Sequence, residues 1–457
     1  MKINLIILIL SPITIVSGCK KVLREDSNSL AYEKSLLQSS RTESGTLQSA
    51  PAAEVVGRYN GPANKFDAGR AMTVDALGNI YVSGTSEGKK GNRDYVTIKY
   101  SATGVEQWVA RYNGTGNGED YPYAITVDSD GNVYVTGRSI GIGSNHDYAT
   151  VRYNAENGAQ EWVMRHNSST NMHDLAKDVK VENGFVYVTG YTNGSSTGSG
   201  TAITTIKYRA DNGAQEWVKN YPETGSVASS DANSVAIDAE GNVYITGKST
   251  SMATIKYSSA GSFQWERNCG GDNGRKIKID LSGSIISTGW GSKTVKYSPD
   301  GTQLWEAPGP VSGTAFQDLA VDAAGNVYVT GYGRPSTTKD DFITVKYNTD
   351  GVQQWWESYN FSFNGIDLAR SIALDGTGNV YVTGRAEVYD GSRNGTVNYG
   401  IVKYDATGVR QWVALYDGPD KQSSESFAIA TDALGKVYVT GQSAYKTSYF
   451  DIVTIKY

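Results

Sequence analysis

The chain is 457 residues long, with 42 Lys and Arg against 47 Asp and Glu and a formal net charge of −5 at pH 7. That acidic balance, with no Lys/Arg block anywhere, predicts no basic field for nucleic acid and no site for a polyanion. Two cysteines and three histidines leave little material for a disulfide framework or a zinc site.

Lys2 precedes an apolar run from Ile3 to Val16. The run is too short to span a bilayer and suits the core of a signal peptide. It ends in Val16-Ser17-Gly18-Cys19, which resembles the bacterial lipobox. The resemblance implies cleavage after Gly18 and acylation of Cys19, with each buried acyl methylene contributing about 0.8 kcal/mol to membrane anchoring. Removing residues 1–18 takes away Lys2 and no acid, so 41 basic against 47 acidic residues leave −6. With Cys19 acylated, Cys269 has no partner for an internal disulfide. Lys20 stands where an aspartate would retain the protein at the inner membrane, by resemblance to the enterobacterial sorting rule. The expected location is therefore the outer membrane, with its periplasmic or surface side left open. Residues 20–53 are rich in Ser, Glu and Gln and too poor in apolar residues to fold. They read as a tether with a root-mean-square span of roughly 30 Å. The predicted organisation is a signal peptide (1–18), acylated Cys19 and tether (19–53), and a folded body (54–457).

The body repeats itself. Asp-x-x-Gly-Asn-Val-Tyr-Val-Thr-Gly, or a close variant, ends at Gly84, Gly137, Gly190, Gly247, Gly289, Gly331, Gly384 and Gly441. Each copy is followed by a run ending in Lys/Arg-Tyr, and seven are followed by a further run opening on tryptophan, from Trp108 to Trp412. Each unit thus supplies four short runs rich in Val, Ile, Thr, Tyr and Trp between Gly/Asn/Asp turns. In the first unit these are strands a (Ala71 to Asp75), b (Ile80 to Gly84), c (Tyr95 to Tyr100) and d (Gln107 to Tyr112). The prediction is an all-β, eight-bladed β-propeller of four-stranded antiparallel blades, with seven blades as the alternative. The missing eighth d strand lies at the other end of the body. Val55-Val56-Gly57-Arg58-Tyr59-Asn60-Gly61 matches Trp108 to Gly114, placing Val55 in the tryptophan position. That strand should complete the last blade and close the ring.

The repeated Ile-x-Val-Asp-x-x-Gly-Asn-Val-Tyr-Val-Thr-Gly pattern resembles the SBBP-type β-propeller repeats of bacterial surface and secreted proteins. The resemblance covers residues 55–457 and implies an exported propeller, without a common activity or catalytic residues to carry over. The family is named for seven blades, whereas the spacing here supports eight. Turns such as Asp405 to Trp412 and Asn154 to Trp162 also resemble the tryptophan-docking turns of eight-bladed quinoprotein propellers and of the propeller lipoprotein of outer-membrane barrel assembly. There they pack blade on blade, so they imply fold and not cofactor.

Loop lengths point to one elaborated face. The a–b and c–d turns are nearly constant, whereas the b–c interval runs from 17 residues (Gly384–Ile401) down to seven (Gly247–Thr254) and five (Gly289–Thr294). In an up-and-down meander the b–c and d–a loops share a face, and binding residues gather on such loops. A rim with a notch beside Trp290 is expected. Tyr121, Tyr123, Arg334, Phe361, Phe363, Tyr389, Arg393, Tyr445 and Tyr449 are its candidate ligand-binding residues, set against the reading that the insertions are merely tolerated.

Asp67, Asp120, Asp174, Asp272 and Asp367 each lie eight residues before the turn acid of their blade. A carboxylate ring at the loop-side mouth of the channel could hold Ca²⁺. The alternative is that each aspartate accepts backbone N–H groups in its own turn. The later series, Asp75, Asp128, Asp238, Asp322, Asp375 and Asp432, reads as turn chemistry. His166 and Cys269 occupy a packing position held elsewhere by tyrosine, and His173-Asp174 is not accompanied by a positioned nucleophile. No phosphate loop or nucleophile elbow occurs. The expected role is a non-enzymatic, monomeric scaffold binding an envelope protein or glycan, without a cofactor unless Ca²⁺. A quinoprotein-like or glycan-active enzyme and an outer-membrane assembly factor are the alternatives.

Overall fold

The computed structural model describes residues 49–193, 200–222, 229–335, 339–362, 365–389, 395–446 and 448–457. Phe363, Arg393 and Cys19 lie outside the described residues. Among the described residues thirty-two strands form eight separate four-stranded antiparallel sheets. Blade 1 comprises strands a Asp67–Val74, b Ile80–Glu87, c Arg93–Tyr100 and d Glu106–Tyr112, hydrogen-bonded in that order. The a strands of blades 2 to 8 are Asp120–Val127, Leu175–Glu182, Asp231–Ile237, Asn273–Ile279, Ala315–Val321, Leu368–Leu374 and Ser424–Thr431. Blade 8 is completed by Glu54–Tyr59, which pairs antiparallel with Ser448–Lys456. The chain is an eight-bladed propeller whose first described strand closes the ring.

Each piece of the repeat has a local cause. Asp75 Oδ1 accepts the N–H groups of Leu77 and Asn79 at 2.9 and 2.8 Å, and its Oδ2 takes the Tyr81 hydroxyl at 3.0 Å. The same tyrosine clasp recurs at Asp128, Asp238, Asp322, Asp375 and Asp432, so this series is turn chemistry. Strand b is buried along nearly its whole length because neighbouring blades cover both faces. The apolar core is accordingly divided between the blades. One cluster joins Tyr81, Tyr95 and Trp108 of blade 1 to Val133, Val135, Val151 and Tyr153 of blade 2. The indole N–H groups of Trp108 and Trp162 reach the next blade's c–d turn, at the Ala155 and Ala210 carbonyls, at 3.2 and 3.1 Å.

The closing strand corrects one detail of the alignment. Between Val55 and Gly57 it carries a β-bulge that shifts the register by one residue. Val55 is therefore half exposed, and Val56 packs inward against blade 1 beside Gly104. Valine does replace tryptophan there, but it is Val56.

A second bulge recurs in every blade and positions the site. Each a–b pair slips by one residue at the same place, between Gly69 and Ala71 in blade 1 and between Ala369 and Ser371 in blade 7. Opposite the slip stands the glycine that ends each repeat motif. A Cβ at Gly84 would lie 2.2 Å from the Ala68 carbonyl oxygen, and at Gly384 2.0 Å from that of Leu368. The motif glycine is thus the residue that lets strand a buckle toward strand b.

Candidate functional site

The eight a strands surround a central cavity of about 800 Å³. Each contributes its bulge residue: Arg70, Tyr123, Lys177, Asn233, Arg275, Gln317, Arg370 and Phe427. Lys180, Lys276 and Lys278 line the channel deeper in, with Asp178 and Asp318. Seven bases against two acids face the cavity of a chain whose net charge is −5. A basic cavity thus coexists with a sequence that holds no Lys/Arg block. The cations come one to three each from blades 1, 3, 5 and 7, far apart in the sequence, and ring closure gathers them.

Stacking fixes the cations at the mouth. The guanidinium carbons of Arg70 and Arg370 lie 4.4 and 4.8 Å from the Phe427 ring centre, and Lys177 Nζ lies 5.0 Å from that of Tyr123. Arg275 sits over Trp290 at 5.1 Å. Such contacts hold a cation without neutralising it. Arg370 also pairs with Glu425. A polar chain leads outward from the ring. Arg275 reaches Asn233 at 3.5 Å, Asn233 donates to Asn273 at 2.7 Å, and Asn273 donates to Asp231 at 3.2 Å. Asp231 lines an adjoining trough of about 530 Å³ on the loop face, with Arg138, His173, Tyr191 and Lys248.

Burial lowers the basicity of Arg70, Lys177 and Arg275. Lys278 is pushed down to about 8, by burial first and then by the charges of Lys180 and Lys276, against the weaker pull of Asp318 and Asp178. A lysine whose folded value lies below its unfolded one destabilises the fold while charged in both states, below about pH 8. The penalty is relieved as pH rises from about 8 toward the unfolded value of about 10.4. Lys278→Met is therefore expected to be more stable than the parent at pH 7, by about 1 kcal/mol because the half-exposed channel screens the charge. That advantage should shrink by pH 10. Urea midpoints at the two pH values check it, and a difference independent of pH would refute it.

The profile of the SBBP β-propeller repeat matches residues 107–143 and 225–251, within a ring of eight four-stranded blades. This is an SBBP-type β-propeller. No curated protein matches its sequence. The SBBP propeller is similar in fold to the quinohemoprotein alcohol dehydrogenase of Comamonas testosteroni, at TM-score 0.58 and 12% identity over 88% of this chain and 76% of that one. It is likewise similar to a europium-containing methanol dehydrogenase, at TM-score 0.57 and 10% identity over 88% and 93% of the two chains. The C-terminal WD40 domain of Sif2 gives TM-score 0.56 and 9% identity over 90% and 99%. At such identities the likeness concerns the fold alone.

Of the predicted loop residues, the SBBP propeller brings Tyr121, Tyr123 and Trp290 to the mouth. Tyr121 is clasped by Glu119 and Arg93 and lies 4.4 Å beneath Arg138, while Tyr123 lines the channel. Trp290 is 37% exposed beside a tight b–c turn, where strand b ends at Trp290 and strand c resumes at Lys293. The others scatter. Arg334 pairs with Asp340 at 3.0 Å, Phe361 packs against Tyr359 and Phe342, and Tyr445 lies 3.6 Å beneath Arg58. Tyr389 is half-buried with Lys339 6.0 Å from its ring, and Tyr449 stands exposed.

The five aspartates do not line the channel mouth. Asp67, Asp120, Asp174 and Asp367 are fully buried, each turned into its own d–a loop. Asp67 accepts the Gly61 N–H at 2.6 Å, Asp120 that of Gly114 at 2.6 Å, Asp174 that of Ser168 at 2.6 Å, and Asp367 that of Phe361 at 2.9 Å. Asp272 is exposed. Among the described residues no three His, Cys, Asp or Glu come together as a metal-holding group. The channel-facing residue is the bulge three positions further on, and it carries the opposite charge or none. His173 pairs with His146 rather than Asp174, Nδ1 to Nδ1 at 3.0 Å, and burial with Arg138 pushes His146 down to about 4. Burial pushes the Cys269 thiol up to about 11, away from nucleophilic use.

Proposed function

We propose that the protein is a non-enzymatic binding scaffold, displayed on a membrane by acylated Cys19 and engaging an envelope protein or glycan through its loop face. The carrying observation is the mouth itself. Stacked Arg–aromatic pairs, an open trough and the short b–c intervals Gly247–Thr254 and Gly289–Thr294 coincide on one side of a rigid ring. Arginine and aromatic side chains held without further freedom are the groups that dominate protein and glycan recognition. The opposite face is occupied by the repeated turns that dock tryptophans. Among the described residues no helix is long and apolar enough to cross a membrane. The lipobox-like Val16 to Cys19 and the tether of residues 20–53 support attachment through lipid, with the outer membrane favoured by Lys20.

Amine crosslinking on intact cells, followed by mass spectrometry, tests this reading. Links to one protein are expected at Lys89, Lys90, Lys248, Lys421 and Lys446, exposed on the loop side. Links confined to Lys436, exposed on an a–b turn, would overturn the assignment of the binding face. A mature N-terminus carrying no acyl group would overturn the anchoring.

A further inference from the structure

The bulge residues alternate around the ring. Blades 1, 3, 5 and 7 present Arg70, Lys177, Arg275 and Arg370, whereas blades 2, 4, 6 and 8 present Tyr123, Asn233, Gln317 and Phe427. One position per blade, projected inward by the same β-bulge, makes a four-cation collar with near four-fold spacing about the propeller axis.

The fold leaves this charge only partly compensated. Two acids belong to the collar's surroundings: Glu425, paired with Arg370 and felt by Arg70, and Asp231, felt by Arg275 and Lys177. Below it, Lys180, Lys276 and Lys278 face Asp178 and Asp318, which leaves another base in excess. Asp318 is itself engaged by the Ser371 hydroxyl at 2.9 Å and the Ile372 N–H at 3.1 Å, and Asp178 by Ser234 and Val235 at 2.8 and 3.1 Å. Arg70 feels the repulsion of Arg370, and so does Arg275. Among the described residues the buried Nε atoms of Arg275 and Arg370 have no hydrogen-bond partner. Their aromatic neighbours orient the cations and leave the charge in place. Like charges held together in a low-dielectric cavity raise the local concentration of a counter-ion and reward one that bridges them.

We propose that the collar binds one compact multivalent oxyanion on the propeller axis, a small molecule carrying several phosphate or carboxylate groups gripped by Arg70, Lys177, Arg275 and Arg370 together. A monovalent ion cannot meet four cations at once, and a bulky polyanion cannot enter a cavity of about 800 Å³. Tyr123 and Gln317 supply neutral donors between the charges. The site shares Arg275 with the mouth but takes a different ligand on the propeller axis, so a failed crosslinking experiment leaves it standing and a successful one does not establish it.

Calorimetric titration of the purified, acylated full chain at fixed ionic strength tests it, with pyrophosphate and citrate as probes and chloride as the control. Saturable one-to-one binding of either probe is expected. Preference for pyrophosphate would assign phosphate groups and preference for citrate carboxylates. Arg70→Gln and Arg275→Gln should each weaken binding about tenfold, the loss of one charge-assisted hydrogen bond. Gln317→Lys, which adds a fifth cation at a neutral position, should tighten it. The proposal is overturned if neither probe saturates, if chloride gives the same heat, or if Arg275→Gln binds unchanged. Should an arginine variant fail to fold, an unchanged or weaker affinity in Gln317→Lys overturns it equally.

Discussion

A chain without Glu54–Tyr59 should lose its cooperative monomeric transition, the largest effect expected from removing any six residues. This strand is the fourth of blade 8 and hydrogen-bonds the start of the ring to its last strand. Without it Ser448–Lys456 becomes a bare edge, and exposed edges pair with other chains. The strand also carries Arg58, which forms an ion pair with Asp451, a carboxylate with no exposed side-chain surface. Tyr59 extends the closure to blade 1, accepting a hydrogen bond from Arg111 at 3.0 Å, and Arg111 in turn holds Asp94 at 2.9 Å. Arg165 repeats the arrangement one blade on, reaching the Tyr112 hydroxyl at 2.8 Å and Asp147 at 2.7 Å. Arg58→Ala alone leaves Asp451 buried and uncompensated, and should cost about 3–5 kcal/mol. Size-exclusion chromatography of the deletion should show association that grows with concentration, and a peptide of residues 54–59 added in trans should suppress it. A deletion variant that stays monomeric with the parent's urea midpoint would show that the ring closes without this strand.

What the sequence revealed follows from where the determining partners lie. The eight blades and the turn acids are legible because each rests on neighbours within about ten residues, as Asp75, Asn79 and Tyr81 do, and the closing strand because it repeats Trp108 to Gly114. The register of the closing strand is not, because the bulge at Val56 is set by Ile455 and Thr454 at the far end of the chain. The aspartate series was placed at the right end of the right strand, but its direction depends on loop backbone that no spacing rule describes. Arg334, Phe361 and Tyr445 looked like free loop residues because Asp340, Phe342 and Arg58 take them up only in the folded ring. The cation collar was hidden by its spacing, since consecutive members stand about a hundred residues apart. A signal existed nonetheless. Each collar residue lies five positions before the turn acid of its blade, as Arg70 precedes Asp75 and Arg370 precedes Asp375. Aligning the repeats on that acid and reading one column would have assembled the ring.

Trp108→Ala should cost about 3–5 kcal/mol, as a buried aromatic truncated to a methyl group. The indole lies between Tyr81 of its own blade and Tyr153 of the next, with ring centres 6.4 and 6.3 Å away. Its N–H is held by the Ala155 carbonyl at 3.2 Å, so truncation also leaves that oxygen without this donor. The other half of the dock is Gly158, at φ +68°, where a Cβ would lie 2.6 Å from the indole ring. Gly158→Ala therefore carries two penalties that experiment can separate. One is the left-handed backbone, about 1–2 kcal/mol for a residue with a Cβ. The other is the collision with Trp108, which vanishes once the indole is gone. In the double variant the collision should be relieved while the backbone cost persists, so the two losses should add to less than their sum. Strict additivity of the urea-derived free energies would mean that Gly158 serves the turn alone. A double variant losing less than the single losses combined would place tryptophan and glycine in one interlocking contact. The repeat of that contact from blade to blade would then explain why the sequence spaces glycine and tryptophan so uniformly while the loop face varies.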